Sequence, residues 1–376
     1  MQIEPEVFCG RRVLVTGHTG FKGSWLSEWL LALGAEVWGY SLPPPTTPSL
    51  FDQLDLARRI HRHQIGDVRD GAAVAAFVQT CQPSFVFHLA AQSLVRLSYD
   101  QPVETFRVNV MGTAHVLEAL RGLNGSCAAV IITTDKCYEN REWLHGYREE
   151  DSLGGHDPYS SSKAAAEILT AAYRRSFFSP DRIVLGEAPP VAVASARAGN
   201  VVGGGDWARD RIVPDCMRAL TSNEVIAVRN PLSTRPWQHV LEPLGGYLTL
   251  AMILNRALAD RSPAGLMRLN AVCSAFNFGP SLESNRSVRD LVGEVLLHWP
   301  GRWEDRSEPL AVHEATLLNL AADKAFHLLR WSPSWAFSDT VKHTVGWYRE
   351  IASDRTGLRV GSLTREQIAA YQRALG

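Results

Sequence analysis

Arg12-Val13-Leu14-Val15-Thr16-Gly17-His18-Thr19-Gly20-Phe21-Lys22-Gly23 is the stretch whose reading decides the fold. Arg12 to Thr16 is a short apolar run rich in β-branched residues, which predicts a buried parallel strand. Gly17, Gly20 and Gly23 follow with the spacing G-x-x-G-x-x-G. A helix is expected next, over 24–33, ended by Gly34, and a second strand over 37–41. Glycines at a strand-to-helix turn let backbone amides approach a pyrophosphate, and the helix N-terminus adds positive potential. A glycine triplet by itself says little. Its place between a strand and a helix makes it a candidate dinucleotide loop.

Downstream the alternation continues. Strands are expected over 61–65, 85–89, 128–133 and 191–196, with helices over 69–80 and 102–120 and another opening at Asp157-Pro158. Gly112 costs the 102–120 helix roughly 1 kcal/mol of propensity, a sign of close packing or local bending. This pattern predicts an α/β protein with a doubly wound parallel sheet. Residues 1–196 form the expected Rossmann-type domain, completed by segments from the second half. Residues 197–376 form a smaller mixed α/β lobe, interleaved with the first, with helices expected over 214–220, 288–298, 321–329, 338–351 and 365–375 and a strand over 225–228. Arg235 to Val240 reads as a strand entering a further helix. Trp299, Trp303, Trp331, Trp335 and Trp347 are expected to pack the core and lobe.

The chemistry is concentrated between Thr133 and Lys163. Thr134, Asp135 and Lys136 stand where a strand opens into a loop, and Tyr159-Ser160-Ser161-Ser162-Lys163 begins a helix. Tyr159 and Lys163 are four apart and share one helix face. A phenol titrates near ~10 and becomes a useful base only if a cation favours the phenolate. The expectation is that Lys163 supplies that charge while the Thr134 hydroxyl meets the reacting oxygen. In isolation Y-x-x-x-K reads better as a solvated helix face; the upstream glycine loop gives the catalytic reading weight.

Composition narrows the function classes. The 376 residues are 45% hydrophobic and 20% charged, with a net charge of -1, which fits an ordinary globular protein. No dense basic run is present, so nucleic acid is not an expected partner. The basic cluster Arg58 to His63 is flanked by acids. Six cysteines lie scattered without C-x-x-C pairing, which points to reduced thiols in a cytoplasm, with no disulfide frame and no metal site. No apolar run reaches ~18 residues, so no membrane span is expected, and the first strand leaves no room for a signal peptide.

The glycine spacing together with Y-x-x-x-K resembles the extended short-chain dehydrogenase/reductase superfamily. Further blocks sharpen this: G-H-T-G-F-K-G-S-W-L, L-P-P-P-T, T-T-D-K-C-Y-E-N, G-N-V-V-G-G-G-D-W and R-P-W-Q-H-V-L-E-P-L. Together they are similar to the CDP-glucose 4,6-dehydratase family, over roughly 12–250. The resemblance implies NAD held by Gly17, Thr19, Gly20, Phe21, Lys22, Gly23, Ser41, Asp67, Val68, Leu89, Ala90 and Ala91, with Tyr159 and Lys163. The acidic residue that usually holds the ribose hydroxyls is replaced by Tyr40-Ser41-Leu42, so NADP is not excluded, and Lys22 is one residue able to meet a 2′-phosphate.

The resemblance further implies a nucleotide-sugar substrate, with Gln92, Ser93, Asn200, Arg211 and Arg235 as its contacts. Arg209, Arg211, Arg229 and Arg235 offer guanidinium groups to a diphosphate. The implied reaction, in 3,6-dideoxysugar formation, is oxidation at C4, loss of water across C5 and C6, and return of hydride to C6. Thr134, Asp135, Lys136, Tyr159 and Lys163 are its catalytic set, with Asp135 as acid. The dTDP-glucose relatives carry glutamate where this chain has Lys136, so Lys136 is either the C5 base, acting as free amine, or an electrostatic support. Dehydratases or 4-epimerases of dTDP-, UDP- or GDP-sugars are the alternatives, followed by a non-catalytic NAD(P)-binding protein. Asn109 is expected to support the site backbone, and a homodimer or dimer of dimers is expected through the helices at 102–120 and 159 onward.

Overall fold

The structure, a computed structural model, describes residues 2–307, 318–354 and 356–375. Seven parallel strands make one sheet: β1 (Arg12–Thr16), β2 (Glu36–Ser41), β3 (Arg62–Ile65), β4 (Phe85–His88), β5 (Cys127–Ile132), β6 (Val191–Ala198) and β7 (Ala275–Phe278). Their spatial order is β7-β6-β5-β4-β1-β2-β3, the doubly wound α/β arrangement expected. The order reverses between β1 and β4, and ligands of such sheets bind beyond the strand ends at that point. Thr16 and His88 face each other there, with Thr16 Oγ1 2.7 Å from His88 Nδ1. Burial lowers the His88 pKa to about 3, so this joint is uncharged.

Helices cover both faces of the sheet. On one side Trp25, Trp29 and Leu30 of α1 (Phe21–Ala32) join a large core with the later half of the chain; on the other, α2 (Gly71–Cys81) and α3 (Gly112–Arg121) supply Val74, Phe77, Val116 and Leu120. α1 begins at Phe21, three residues earlier than the sequence indicates, so Phe21, Lys22 and Gly23 lie in its first turn. α4 (Pro158–Ser176) starts where expected. Asp157 accepts from the Ser160 amide at 2.9 Å, and Pro158 needs no amide partner at that position.

The helix expected over 102–120 runs without interruption but is not α-helical throughout. A short helix (Pro102–Phe106) runs into a π-helical turn (Arg107–Met111) before α3. A Cβ on Gly112 would stand 2.7 Å from Val68 Cγ2, so the helix packs tightly where the sequence hinted it might.

The second half is woven into the first. β7, which the sequence reading did not find, adds to the sheet beside β6. α5 (Leu241–Ala259) is apolar almost all round and packs beneath β5 and β6. α6 (Arg359–Ala374) lies on α1. The Arg235–Val240 segment forms two short strands (Thr234–Pro236, Gln238–His239) before α5. Trp331, Trp335 and Trp347 are buried in the core, and Trp299 and Trp303 pack against it, as expected. Among the described residues, the six cysteines are free and no helix is long and apolar enough to cross a membrane.

Candidate active site

The glycine loop is shaped by close backbone approach. Gly17 adopts φ +76°, and a Cβ there would lie 2.7 Å from the Ala90 amide nitrogen. A Cβ on Gly23 would lie 2.1 Å from the Gly17 carbonyl oxygen. Gly20 caps α1 without a side-chain acceptor, so the first-turn amides of Phe21, Lys22 and Gly23 are available to an anion. This cradle fits the pyrophosphate of a dinucleotide.

Thr19 donates to the Leu42 carbonyl at 2.8 Å, which leaves the Ser41 hydroxyl, 2.8 Å away, as donor to Thr19. Ser41 therefore keeps its oxygen as an acceptor for a ribose hydroxyl. Asp67 accepts from the backbone and guanidinium of Arg69, which holds its carboxyl below the usual range. It does not cap α2; Asp70 does, accepting from Ala73. Val68 is buried against Gly112. Leu89, Ala90 and Ala91 continue from β4 under the loop, with the Ala90 amide 3.3 Å from Thr16 Oγ1.

At the end of β5 the backbone turns through Asp135–Cys137, with Thr134 as its cap. Thr134 Oγ1 donates to Asp135 Oδ1 at 2.9 Å. Asp135 is 4% exposed, and burial raises its pKa against the opposing pull of Lys136, Thr134 and Lys22. A Cβ on Gly199, the residue after β6, would come 2.8 Å from Asp135 Oδ2, so a larger residue there would displace the carboxyl. Tyr159 is buried beside Thr134, with its backbone amide held by Ser98 Oγ at 3.1 Å. Lys163 is 6% exposed and donates to the Ile132 carbonyl at 3.2 Å.

Tyr159 is pushed up to about 12 by burial; the hydrogen bond with Thr134 and the charge of Arg211 pull it back. The Lys163 ammonium is tied to a strand-end carbonyl, and its own pKa falls to about 8 through burial. Lys163 braces the helix against the strand in this state.

Lys22 lies elsewhere than expected. The sequence reading allowed it a 2′-phosphate near Ser41, but its ammonium lies on the catalytic side, 5.9 Å from the Tyr247 ring and within the field of Asp135 and Lys163. Tyr247, on α5, was missed altogether. Its hydroxyl is buried, has no hydrogen-bond partner among the described residues, and interacts electrostatically with Tyr159 and Asp135. Nothing local in the sequence marks it, because a long-range packing of α5 brings it there.

The expected substrate contacts separate into two groups. Arg211 is partly buried, pairs with Asp206 at 2.9 Å and reaches the field of Tyr159, so it belongs to the cleft. Ser93 and Asn200 are exposed on loops beyond the strand ends. Gln92 spends its amide on its own loop: Nε2 donates to Leu94 and Thr105, and Oε1 accepts from the Leu94 amide. It is a brace, itself clamped by Asn109, which bonds both the amide and the carbonyl of Gln92 and also Ser162. That is the backbone support expected of Asn109. Arg235 donates to the Thr234 carbonyl at 2.8 Å on a short strand paired with 285–287. Arg229 pairs with Asp210 at 2.8 Å.

A family model described as GDP-mannose 4,6 dehydratase matches residues 14–184. The curated CDP-glucose 4,6-dehydratase of Salmonella typhimurium (strain LT2) is 46% identical over 351 residues, covering 92% of this chain and 93% of that one. The chain belongs to the CDP-glucose 4,6-dehydratase family. A dTDP-glucose 4,6-dehydratase of Bacillus anthracis, solved in complex with NAD, superposes with a TM-score of 0.70 at 19% identity, covering 90% of this chain and 96% of that one. An epimerase from Methanothermobacter thermautotrophicus superposes with a TM-score of 0.72 at 22% identity over 96% of both chains. These two likenesses establish the fold.

Proposed function

We propose that the protein is an NAD-dependent CDP-glucose 4,6-dehydratase, which converts CDP-glucose to CDP-4-keto-6-deoxyglucose. The observation that carries this is the assembly of Thr134, Asp135, Tyr159 and Lys163 at one strand end, in a chain 46% identical over nearly its full length to a curated enzyme of that name. NAD would be held by the glycine loop, Ser41 and Asp67, and would supply the hydride acceptor for C4 and the hydride donor for C6.

The chain's own residues divide the proton chemistry. Tyr159 takes the proton of the C4 hydroxyl, while Thr134 bonds the same oxygen. Once C4 is a ketone, the C5 proton is acidic. Lys136, next to Asp135, is the base proposed to remove it, and Asp135, whose acid form burial favours, gives its proton to the departing C6 hydroxyl as water. The C5 proton then returns from Lys136. A buried acid next to Thr134 favours dehydration over simple 4-epimerisation, which has no leaving group to protonate.

Ser93, Asn200, Arg211 and Arg235 are proposed as nucleotide-sugar contacts, with residues 197–376 supplying most of the lobe that holds them. Exposed Val103, Met111 and Ile168, on helices packed against each other, support a homodimer through this face. Six free cysteines suit a reducing cytoplasm.

The test is turnover of CDP-, dTDP-, UDP- and GDP-glucose with NAD, followed by the alkali absorbance of the 4-keto-6-deoxy product. CDP-glucose is expected to turn over fastest. Preference for another nucleotide, or epimer without keto product, overturns the reading.

A further inference from the structure

Three consecutive residues at the end of β5 meet three successive turns of α4. Ile132 accepts from Lys163, Thr133 Oγ1 donates to Glu167 at 2.5 Å, and Thr134 bonds Tyr159. Positions 159, 163 and 167 are four apart, so they form one stripe along the helix. Glu167 anchors the far end. Beyond Thr133 it accepts from Ser195 Oγ at 2.7 Å and from Arg197 Nη2 at 2.9 Å, both on β6. Carboxylate and guanidinium are nearly closed to solvent, with side chains 2% and 4% exposed. Arg197 is in turn fixed by the Tyr138 hydroxyl and the Glu149 carbonyl. Thus one buried anion joins the catalytic helix to both strands that frame the cleft.

We propose that Glu167 is a positioning residue for the dehydratase reaction: its anion keeps the Lys163 ammonium charged and fixes the catalytic stripe against the ends of β5 and β6. The inference rests on the roles given above to Tyr159 and Lys163. Among the described residues, the other titratable groups that interact with Lys163 leave that task to Glu167. The Cys137 thiol after β5 is held well above its usual pKa by burial and is neutral, His88 on β4 is neutral, and Lys22 on α1 is itself a cation. Glu167 is the anion that opposes the burial of the amine. It can do so because Arg197 and two hydroxyls hold its own carboxyl below the usual range, despite burial.

Thr133 and Ser195 donate to different oxygens of Glu167, so Glu167→Gln keeps an acceptor for one of them and removes the charge. With the anion gone, the Lys163 pKa falls further below about 8, so the ammonium is lost at lower pH. The alkaline limb of kcat/KM is expected to move toward acid by about one unit, roughly tenfold in rate at a fixed pH on that limb. The ε-carbon resonance of Lys163, followed by NMR in 13C-lysine protein with Lys163→Met as assignment control, should show the same displacement. Thr133→Val removes only the clip, and is expected to lower kcat several-fold with the limb in place. Should E167Q not accumulate folded, E167Q/R197Q removes both charges and is expected to show the same displacement. An unmoved limb together with an unmoved Lys163 titration in a folded variant overturns the proposal. Wild-type protein inactive on every nucleotide-glucose overturns instead the functional reading on which it rests.

Discussion

Asp135 and Glu167 are two carboxylates of almost equal burial, 4% and 3% exposed, at either end of the same catalytic stripe. Burial works against ionisation of both, yet their pKa values move in opposite directions. Glu167 meets a guanidinium and two hydroxyls, whereas Asp135 meets one hydroxyl and cations held further off. The difference shows that burial alone does not set the charge of a carboxyl; the donors that touch it do. The acid form is thereby favoured at the mouth of the cleft, and the ion at its floor. Glu242 on α5 is an intermediate case. It is closed to solvent and accepts from the Ser334 and Trp335 amides and the Tyr371 hydroxyl, all neutral donors, and its pKa rises to about 7.

The sharpest way to break this comparison is Asp135→Asn. Losing the general acid should slow product formation by about 10²- to 10⁴-fold while C4 oxidation persists, seen as reduced cofactor formed on mixing with CDP-glucose. Lys136→Ala should block at the same stage and, if the lysine is the base, lose solvent deuterium incorporation at C5. Exchange at the wild-type rate would remove Lys136 from that role. Next comes the floor. Glu167→Gln leaves Arg197 buried without its counterion, at an expected cost of about 3–5 kcal/mol, read as a lower urea midpoint; a loss under 1 kcal/mol would mean that the pair is not the anchor described.

Glu242 gives a smaller effect with a definite sign. Its folded pKa is raised from 4.5 to about 7, so its contribution to stability is complete below about pH 4.5 and is lost as pH rises through about 7. The full span is roughly 3 kcal/mol. Glu242→Gln should flatten that part of the stability-against-pH curve. The smallest effect is on Asp135 itself. Its folded pKa is also raised, so its ionisation at neutral pH opposes folding. D135N should therefore be more stable than the wild type near pH 8, a gain that vanishes below about pH 4. Loss of stability at both pH values would mean that Asp135 is held as an ion.

Much of this was legible because it is local. Asp157-Pro158 marks a helix start by capping chemistry, and Tyr159 and Lys163 share a face by period alone. Glu167 could have been found by the same count, one turn further on. Gly17, Gly20 and Gly23 announce a backbone cradle. What escaped depends on contacts between segments far apart in the chain. The sequence does not say that Lys163 reaches the Ile132 carbonyl, that Lys22 turns toward Asp135, or that Tyr247 comes close to Lys22. Ala275–Phe278 was missed because four residues in a loop-rich stretch look like any short apolar run. The π-helical turn at Arg107–Met111 leaves no compositional trace beyond the neighbouring Gly112.

β7 has a bearing on how the polypeptide assembles. A ribosome must deliver the chain through Phe278 before β6, buried along its full length, gains its outer neighbour. Until then the nascent protein carries a bare row of amides and carbonyls on an apolar ribbon, a template for mispairing. A fragment cut at Ala198 would keep that ribbon for good, and should precipitate where the intact chain stays in solution.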